Sequence, residues 1–263
     1  MCRLLAYLGS SIQLNRILYK PEHSLIVQSY QPKEMTAGVV NADGLGVGWY
    51  HPRQDVEPFT YKNTLPIWND TNLPELSRYV ESGCVLAYIR SATPGQGLDV
   101  GNCQPFRRDR LLFTHNGFIS NFRQSLYRPI RDRLSDEIYQ SIHGTTDSEH
   151  IFALLVNELQ AFPNCSIQKA LHNTLTTLTQ LAKEYQVSFS ANVVVSDGHC
   201  LIASRHAYGT STPTLYWLSD NPNYPDSVII ASEPLFAGNW HSCPEGSIIN
   251  VKKNLDVCIE QLI

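Results

Sequence analysis

The sequence predicts an α+β fold in which antiparallel sheets are covered by helices. Three observations lead there. Short apolar runs fill the first half, two helical patterns occupy the middle, and apolar runs return in the last third. That order fits antiparallel sheets with helices packed on them, not a parallel doubly wound sheet. Asp197-Gly198, between two of the late runs, is a hairpin turn signal. Finally, the glycines of Asp43-Gly44-Leu45-Gly46-Val47-Gly48-Trp49 alternate, whereas a dinucleotide fingerprint requires G-x-G-x-x-G at a strand-to-helix turn.

The elements follow in order. Residues 4–8, 45–50, 85–90 and 111–115 are apolar runs with glycine punctuation and read as strands. Alternate glycines leave one face of the 45–50 strand bare for close approach, with sheet packing the preferred reason. Residues 61–83 are loop-rich, with Pro66 and Pro74 and room for a short helix over 75–80. Thr146-Asp147-Ser148-Glu149 is a capping-box pattern, Thr146 as N-cap and Glu149 reaching back. Ile151, Leu154, Leu155 and Leu159 continue it as an apolar stripe. A second helix over 167–185 turns Ile167, Leu171, Leu175, Leu178 and Leu181 to the core. Strands are expected at 191–196, 200–204, 215–218, 228–231, 247–251 and 255–259. With no internal repeat or low-complexity linker, the 263 residues are expected to form one domain over 1–263.

Composition excludes several functions. A net charge of −4, with lysine and arginine scattered, gives no electrostatic footprint for nucleic acid or an anionic membrane. No run approaches the roughly 20 apolar residues of a membrane helix. Arg3 interrupts the short apolar start, unlike a signal peptide, so a cytoplasmic protein is expected. Seven cysteines, an odd number without a C-x-x-C pair, argue against a disulfide framework or zinc ribbon. The nine histidines form no HxxxH or HxH pair, so no metal is expected.

Five segments carry chemistry. Cys2 directly follows Met1. It either starts a buried strand or, once Met1 is removed, joins a thiol and a free α-amine in one residue, a nucleophile with its own base. Arg90 ends an apolar strand, either as an ion-pair partner or as a fixed fork for a carboxylate. Asn116-Gly117 is either a tight turn or an oxyanion hole, with the Asn116 side-chain amide and the Gly117 N–H as donors. Asp147 stabilises the dipole of a capped helix or holds a substrate ammonium. Asn102-Cys103-Gln104-Pro105-Phe106 reads as a positioning loop, with Cys103 structural.

In combination, Cys2, R-x-A-T-x-G, N-x-Q-P-F, H-N-G and T-D-S-E resemble the class II glutamine amidotransferases, an N-terminal nucleophile hydrolase family. Ser91 stands where many members have tryptophan and Pro94 where many have histidine. The changes leave the chemistry intact and count against ordinary glutamine as preferred substrate. With MCRLLAYLG, the 43–50 segment and Ala231-Ser232-Glu233-Pro234-Leu235, the chain looks like a stand-alone subfamily. That group includes γ-glutamyl hydrolases of ergothioneine biosynthesis, which remove glutamate from γ-glutamyl-hercynylcysteine sulfoxide.

The resemblance implies a four-layer αββα sandwich, two antiparallel sheets between helix layers. It implies an amidohydrolase with catalytic Cys2, Asn116 and Gly117. Arg90 would bind the α-carboxylate and Asp147 the α-ammonium of a γ-glutamyl group, with Thr93 adding a hydrogen bond. No cofactor is implied, and the expected partner is a small γ-glutamyl substrate. The motifs and sheets leave no second domain of ~100–200 residues to use released ammonia. Three alternatives remain. The chain is a glutaminase subunit feeding a separate synthetase, a hydrolase of other γ-glutamyl peptides, or a non-catalytic γ-glutamyl-binding scaffold. The sequence fixes no oligomeric state.

Overall fold

A computed structural model describes residues 2–35, 38–51, 53–54, 56–92 and 97–262. The chain opens with β1 (Arg3–Gln13), α1 (Leu14–Leu18) and α2 (Leu25–Tyr30). Then come β2 (Leu45–Trp49), β3 (Phe59–Asn63), α3 (Leu73–Tyr79), β4 (Glu81–Ile89), β5 (Phe106–Arg108) and β6 (Leu111–Ile119). The helical middle holds α4 (Tyr127–Arg131), α5 (Asp136–Gln140), α6 (Asp147–Ala161) and α7 (Ile167–Glu184). The last third holds β7 (Phe189–Ser196), β8 (Leu201–Tyr208), β9 (Tyr216–Asn221), β10 (Tyr224–Ala231), β11 (His241–Ser242), β12 (Ser247–Val251) and β13 (Val257–Gln261).

The strands form two sheets. One runs β11-β9-β10-β1-β4-β2-β3, the other β13-β12-β8-β7-β6-β5, and every pairing is antiparallel. Side chains alternate across a strand, and β1 shows what this does. Cys2, Leu4, Ala6 and Leu8 pack with Leu86, Leu112, Val194 and Ile249 between the sheets. Leu5 and Tyr7 point the other way, onto Leu14, Ile17, Leu18 and Leu73 of the short helices. On the far side, Phe113, Val193 and Val195 meet α6 and α7. Two helix layers thus enclose two sheets, the four-layer αββα arrangement.

Helix α7 buries Leu171, Leu175, Leu178 and Leu181 as their spacing predicts; each is worth roughly 1.5–3 kcal/mol against exposure. Helix α6 departs from a stripe: every residue from Asp147 to Val156 is buried, because α4, α5, α7 and β6 surround it. Thr146 caps it, its Oγ1 accepting from Glu149 N at 3.2 Å. Glu149 does not close the box onto Thr146. Its carboxylate reaches further back, accepting from His143 N at 2.9 Å and Gly144 N at 2.7 Å.

The alternate glycines have the expected packing role. A Cβ at Gly46 would collide with the carbonyl of Gln104, and one at Gly48 would press on Leu112 and Pro105. Asp197-Gly198 does turn β7 into β8, with Gly198 at φ +94°. Because Ser196 pairs with Leu201, the loop spans residues 197–200 and is longer than a two-residue turn.

Candidate active site

Cys2 lies one residue before β1 and is 9% exposed. Its sulfur accepts from Ser91 N at 3.3 Å and faces Ser91 O at 3.5 Å. The first register pair, Arg3 with Ile89, puts Cys2 alongside the end of β4. Strand β1 is held on its other side by β10, and Ser232 just beyond β10 accepts from Leu4 N at 3.0 Å. The nucleophile candidate thus sits just ahead of a central strand, facing the second sheet.

Arg90 directly follows β4 and is 2% exposed. Its backbone is bracketed by the 43–44 segment: Arg90 N donates to Gly44 O at 2.8 Å, and Asp43 N donates to Arg90 O at 3.1 Å. Asp43 Oδ2 accepts from Ala92 N at 2.7 Å. Nη1 of Arg90 approaches Asp43 O at 3.3 Å and Gly97 O at 3.4 Å, long contacts for a guanidinium. Asn102 supports the same loop, donating to Gly97 O at 3.2 Å and accepting from Thr145 N at 2.9 Å. Thr93 lies outside the described residues.

Asn116-Gly117 is not a turn. Strand β6 runs through it, pairing Asn116 with Asn192 and Gly117 with Ala191. Glycine is required because a Cβ would collide with Ser190 O and His115 Nε2. The Asn116 side chain is fully buried; Nδ2 has one long contact, 3.5 Å to Ser232 Oγ, and Oδ1 has no partner. A buried amide so poorly satisfied is costly and is suited to a ligand group. Gln104 clamps His115 from the edge, its amide bonding both His115 N and O, as a positioning loop should. His115 Nε2 donates to Ser190 O at 3.1 Å, so Nδ1 accepts from Ser148 Oγ at 2.8 Å. Burial lowers the His115 pKa, and nearby Asp147 opposes the shift.

Asp147 is the first residue of α6. Its Oδ2 accepts from Ile119 N at 2.8 Å and its Oδ1 from Ser148 N at 2.8 Å. The carboxylate thus serves the first turn of its own helix, as the dipole reading expects, and pins the end of β6, two residues past Gly117.

Tyr88 lies in the same buried cluster as Cys2. It is two positions before Arg90 and faces the space between the sheets with Cys2. Burial pushes its phenol well above the ordinary value. The neighbouring Cys2 and Asp147 add to the rise, and Arg90 opposes it. The sequence does not mark Asp43, Tyr88 and Ser232 as site residues, although Asp43 and Ser232 lie within the family-like motifs, and the two-residue step from Tyr88 to Arg90 is the available signal.

Cys103 is structural as expected. It is fully buried, its Sγ faces Asn63 O at 3.4 Å and Asp99 O at 3.6 Å, and burial raises its thiol pKa. Among the described residues, no three histidine, cysteine or acidic side chains are grouped to hold a metal ion. No helix among them is long and apolar enough to cross a membrane.

Known proteins resemble this chain along most of its length. The chain is 30% identical to the probable glutamine amidotransferase DUG3 of Saccharomyces cerevisiae, over 96% of this chain and 82% of that protein. It is 26% identical to the gamma-glutamyl-hercynylcysteine sulfoxide hydrolase of Mycolicibacterium smegmatis, over 96% of both. Among solved structures, a glutamine aminotransferase class-II domain protein from Silicibacter pomeroyi superposes with a TM-score of 0.72 at 24% identity, covering 99% of each chain. The glutamine phosphoribosylpyrophosphate amidotransferase of B. subtilis superposes at 0.68 with 14% identity, over 99% of this chain and 49% of that one. These likenesses at low identity establish a shared fold. The family profile of glutamine amidotransferases class-II matches residues 1–227, and the chain belongs to that family.

Proposed function

We propose that the protein is an amidohydrolase that cleaves γ-glutamyl amides through a thioester on Cys2. The placing of Cys2 between Ser91, which follows Arg90 and holds the sulfur, and Ser232, which bonds both Leu4 N and Asn116 Nδ2, supports this reading. Removal of Met1 exposes the Cys2 α-amine, which titrates nearer neutrality than a lysine and takes the thiol proton. The thiolate attacks the γ-carbonyl carbon. Asn116 Nδ2 and Gly117 N–H receive the developing oxyanion. Arg90 engages the α-carboxylate and Asp147 the α-ammonium, which together select a γ-linked glutamate; Thr93 adds a hydrogen bond. The amine departs with the proton held by the α-amine, and water then hydrolyses the thioester. No cofactor enters the reaction, and the whole chain acts as one domain.

For substrate we propose γ-glutamyl-hercynylcysteine sulfoxide, cleaved to glutamate and hercynylcysteine sulfoxide. The likeness to a hydrolase of that name over 96% of both chains supports it. The higher identity to a probable glutamine amidotransferase favours a second reading, glutaminase activity or hydrolysis of another γ-glutamyl compound. A cytoplasmic setting fits cysteines that are all unpaired. The test is turnover of glutamine beside a panel of γ-glutamyl amides, with detection of glutamate and of each amine. Glutamate release that requires Cys2 supports the reading. Binding of every panel member with release from none would point to the non-catalytic scaffold.

A further inference from the structure

We infer that Arg3 is a positioning residue for Cys2, held in that role by Glu233. The inference takes from the reading above only that Cys2 is the reacting residue. Arg3 is wholly buried, on the face of β1 opposite Cys2, where its strand neighbours Leu5 and Tyr7 are core side chains. A charged pair in such a place is often replaceable by apolar residues with no loss of stability, so its presence calls for another reason.

The contacts supply one. Arg3 Nη1 donates to the carbonyl oxygen of Cys2 at 2.9 Å. Nε lies 2.9 Å from Glu233 Oε1 as an ion pair without hydrogen-bond alignment, and neither Nε nor Nη2 has a hydrogen-bond partner. A pair built for stability alone would present two parallel donors of the guanidinium fork to the carboxylate. Here one arm is directed to the nucleophile's own peptide. Glu233 is fixed in turn: His23 Nε2 lies 2.7 Å from Oε2, and Lys33 N and Glu34 N donate at 2.9 and 3.1 Å.

Cys2 needs such a grip. It lies outside the ladder of β1, and without Met1 it hangs from a single covalent bond. Terminal residues fray unless tied down. The peptide group is planar, so holding the Cys2 oxygen sets the plane from which Cα, the α-amine and the sulfur project. Ser91 N then holds the sulfur from the other side.

The double variant Arg3→Met/Glu233→Met removes the grip without leaving a buried charge. It is compared with the wild-type protein by melting temperature, by kcat and KM on a γ-glutamyl amide, and by iodoacetamide alkylation mapped to each cysteine. Buried Cys84 and Cys243 report global opening. The expected result is a folded protein with kcat down about tenfold or more and KM within about twofold. Cys2 alkylation should rise about tenfold while Cys84 and Cys243 stay protected. Arg3→Lys keeps the charge without the fork and should show the same pattern if the double variant does not fold. Wild-type Cys2 alkylation in a folded variant, or a rise shared equally by Cys84 and Cys243, would overturn the inference. If no γ-glutamyl amide is turned over, alkylation still decides the role of Arg3, and the substrate reading falls separately.

Discussion

The sulfur of Cys2 contacts Ser91 only through the backbone, at 3.3 Å from N and 3.5 Å from O. The side chain at position 91 therefore takes no part in holding the thiol. A serine at this position therefore leaves the contact to the thiol to its backbone.

The mature, active protein should begin at Cys2, since the base in the mechanism is its α-amine. Intact mass of active protein checks this; full activity with Met1 retained would remove the amine from the chemistry. Cys2→Ala should abolish turnover and still bind glutamate. A glutamine-like electrophile should add its mass at Cys2 and leave the buried Cys103 unmodified.

Arg90→Lys keeps the charge and loses the planar fork. With a charged hydrogen bond worth roughly 1.5–3 kcal/mol, kcat/KM should fall about tenfold or more. Arg90 also approaches the carbonyls of Asp43 and Gly97, so the melting temperature should fall as well. The discriminating measurement is a substrate pair with and without the α-carboxylate. An equal loss on both would show that Arg90 serves the loop and not the ligand.

Asp147→Asn replaces one acceptor oxygen with a donor facing Ile119 N or Ser148 N. The mismatch should cost about 1–3 kcal/mol in denaturant unfolding. If Asp147 also binds the substrate ammonium, the variant should lose its preference for a free α-amine over an acetylated one. Retained preference would confine Asp147 to capping α6 and pinning β6.

His150 makes stability depend on pH. Its ring is buried in α6; Nδ1 donates to Thr146 O at 2.7 Å and Nε2 accepts from Arg131 Nε at 2.9 Å. Burial lowers its pKa from 6.5 to about 4, the Thr146 contact opposes the shift, and Arg131 adds to it. The unfolded state therefore binds the extra proton first. This contribution is complete above the unfolded pKa and lost as pH falls through the window down to about 4. It is worth about 3 kcal/mol across that window. His150→Gln should flatten the slope of unfolding free energy against pH there. An unchanged slope would assign the acid sensitivity to other groups.

Legibility from the sequence followed length and locality. Helix α7 was readable because 18 residues hold four turns of apolar spacing. Helices α1 and α2, of five and six residues, are too short for a period to register, and they exist because β1 offers Leu5 and Tyr7 to cover. Strand β1 runs to Gln13 through polar Ser10 and Ser11, kept extended by β4 across a register shift and not by propensity. In the site, Arg90, Asn116 and Asp147 each had an adequate structural explanation, and only their order within one family pattern joined them. The Arg3–Glu233 pair spans most of the chain, and no local pattern encodes it.

The path of β1 between β4 and β10 also has a consequence for biosynthesis. Strand β4 emerges from the ribosome early, whereas β10, Ser232 and Glu233 come late. A nascent chain that has not reached them can pair only one edge of β1, and its first residues remain open to the proposed removal of Met1. Once β10 docks, Cys2 is enclosed between the sheets. The proposed maturation therefore belongs to synthesis, before the closing strand arrives, and a chain released short of residue 233 lacks the carboxylate that pairs with Arg3.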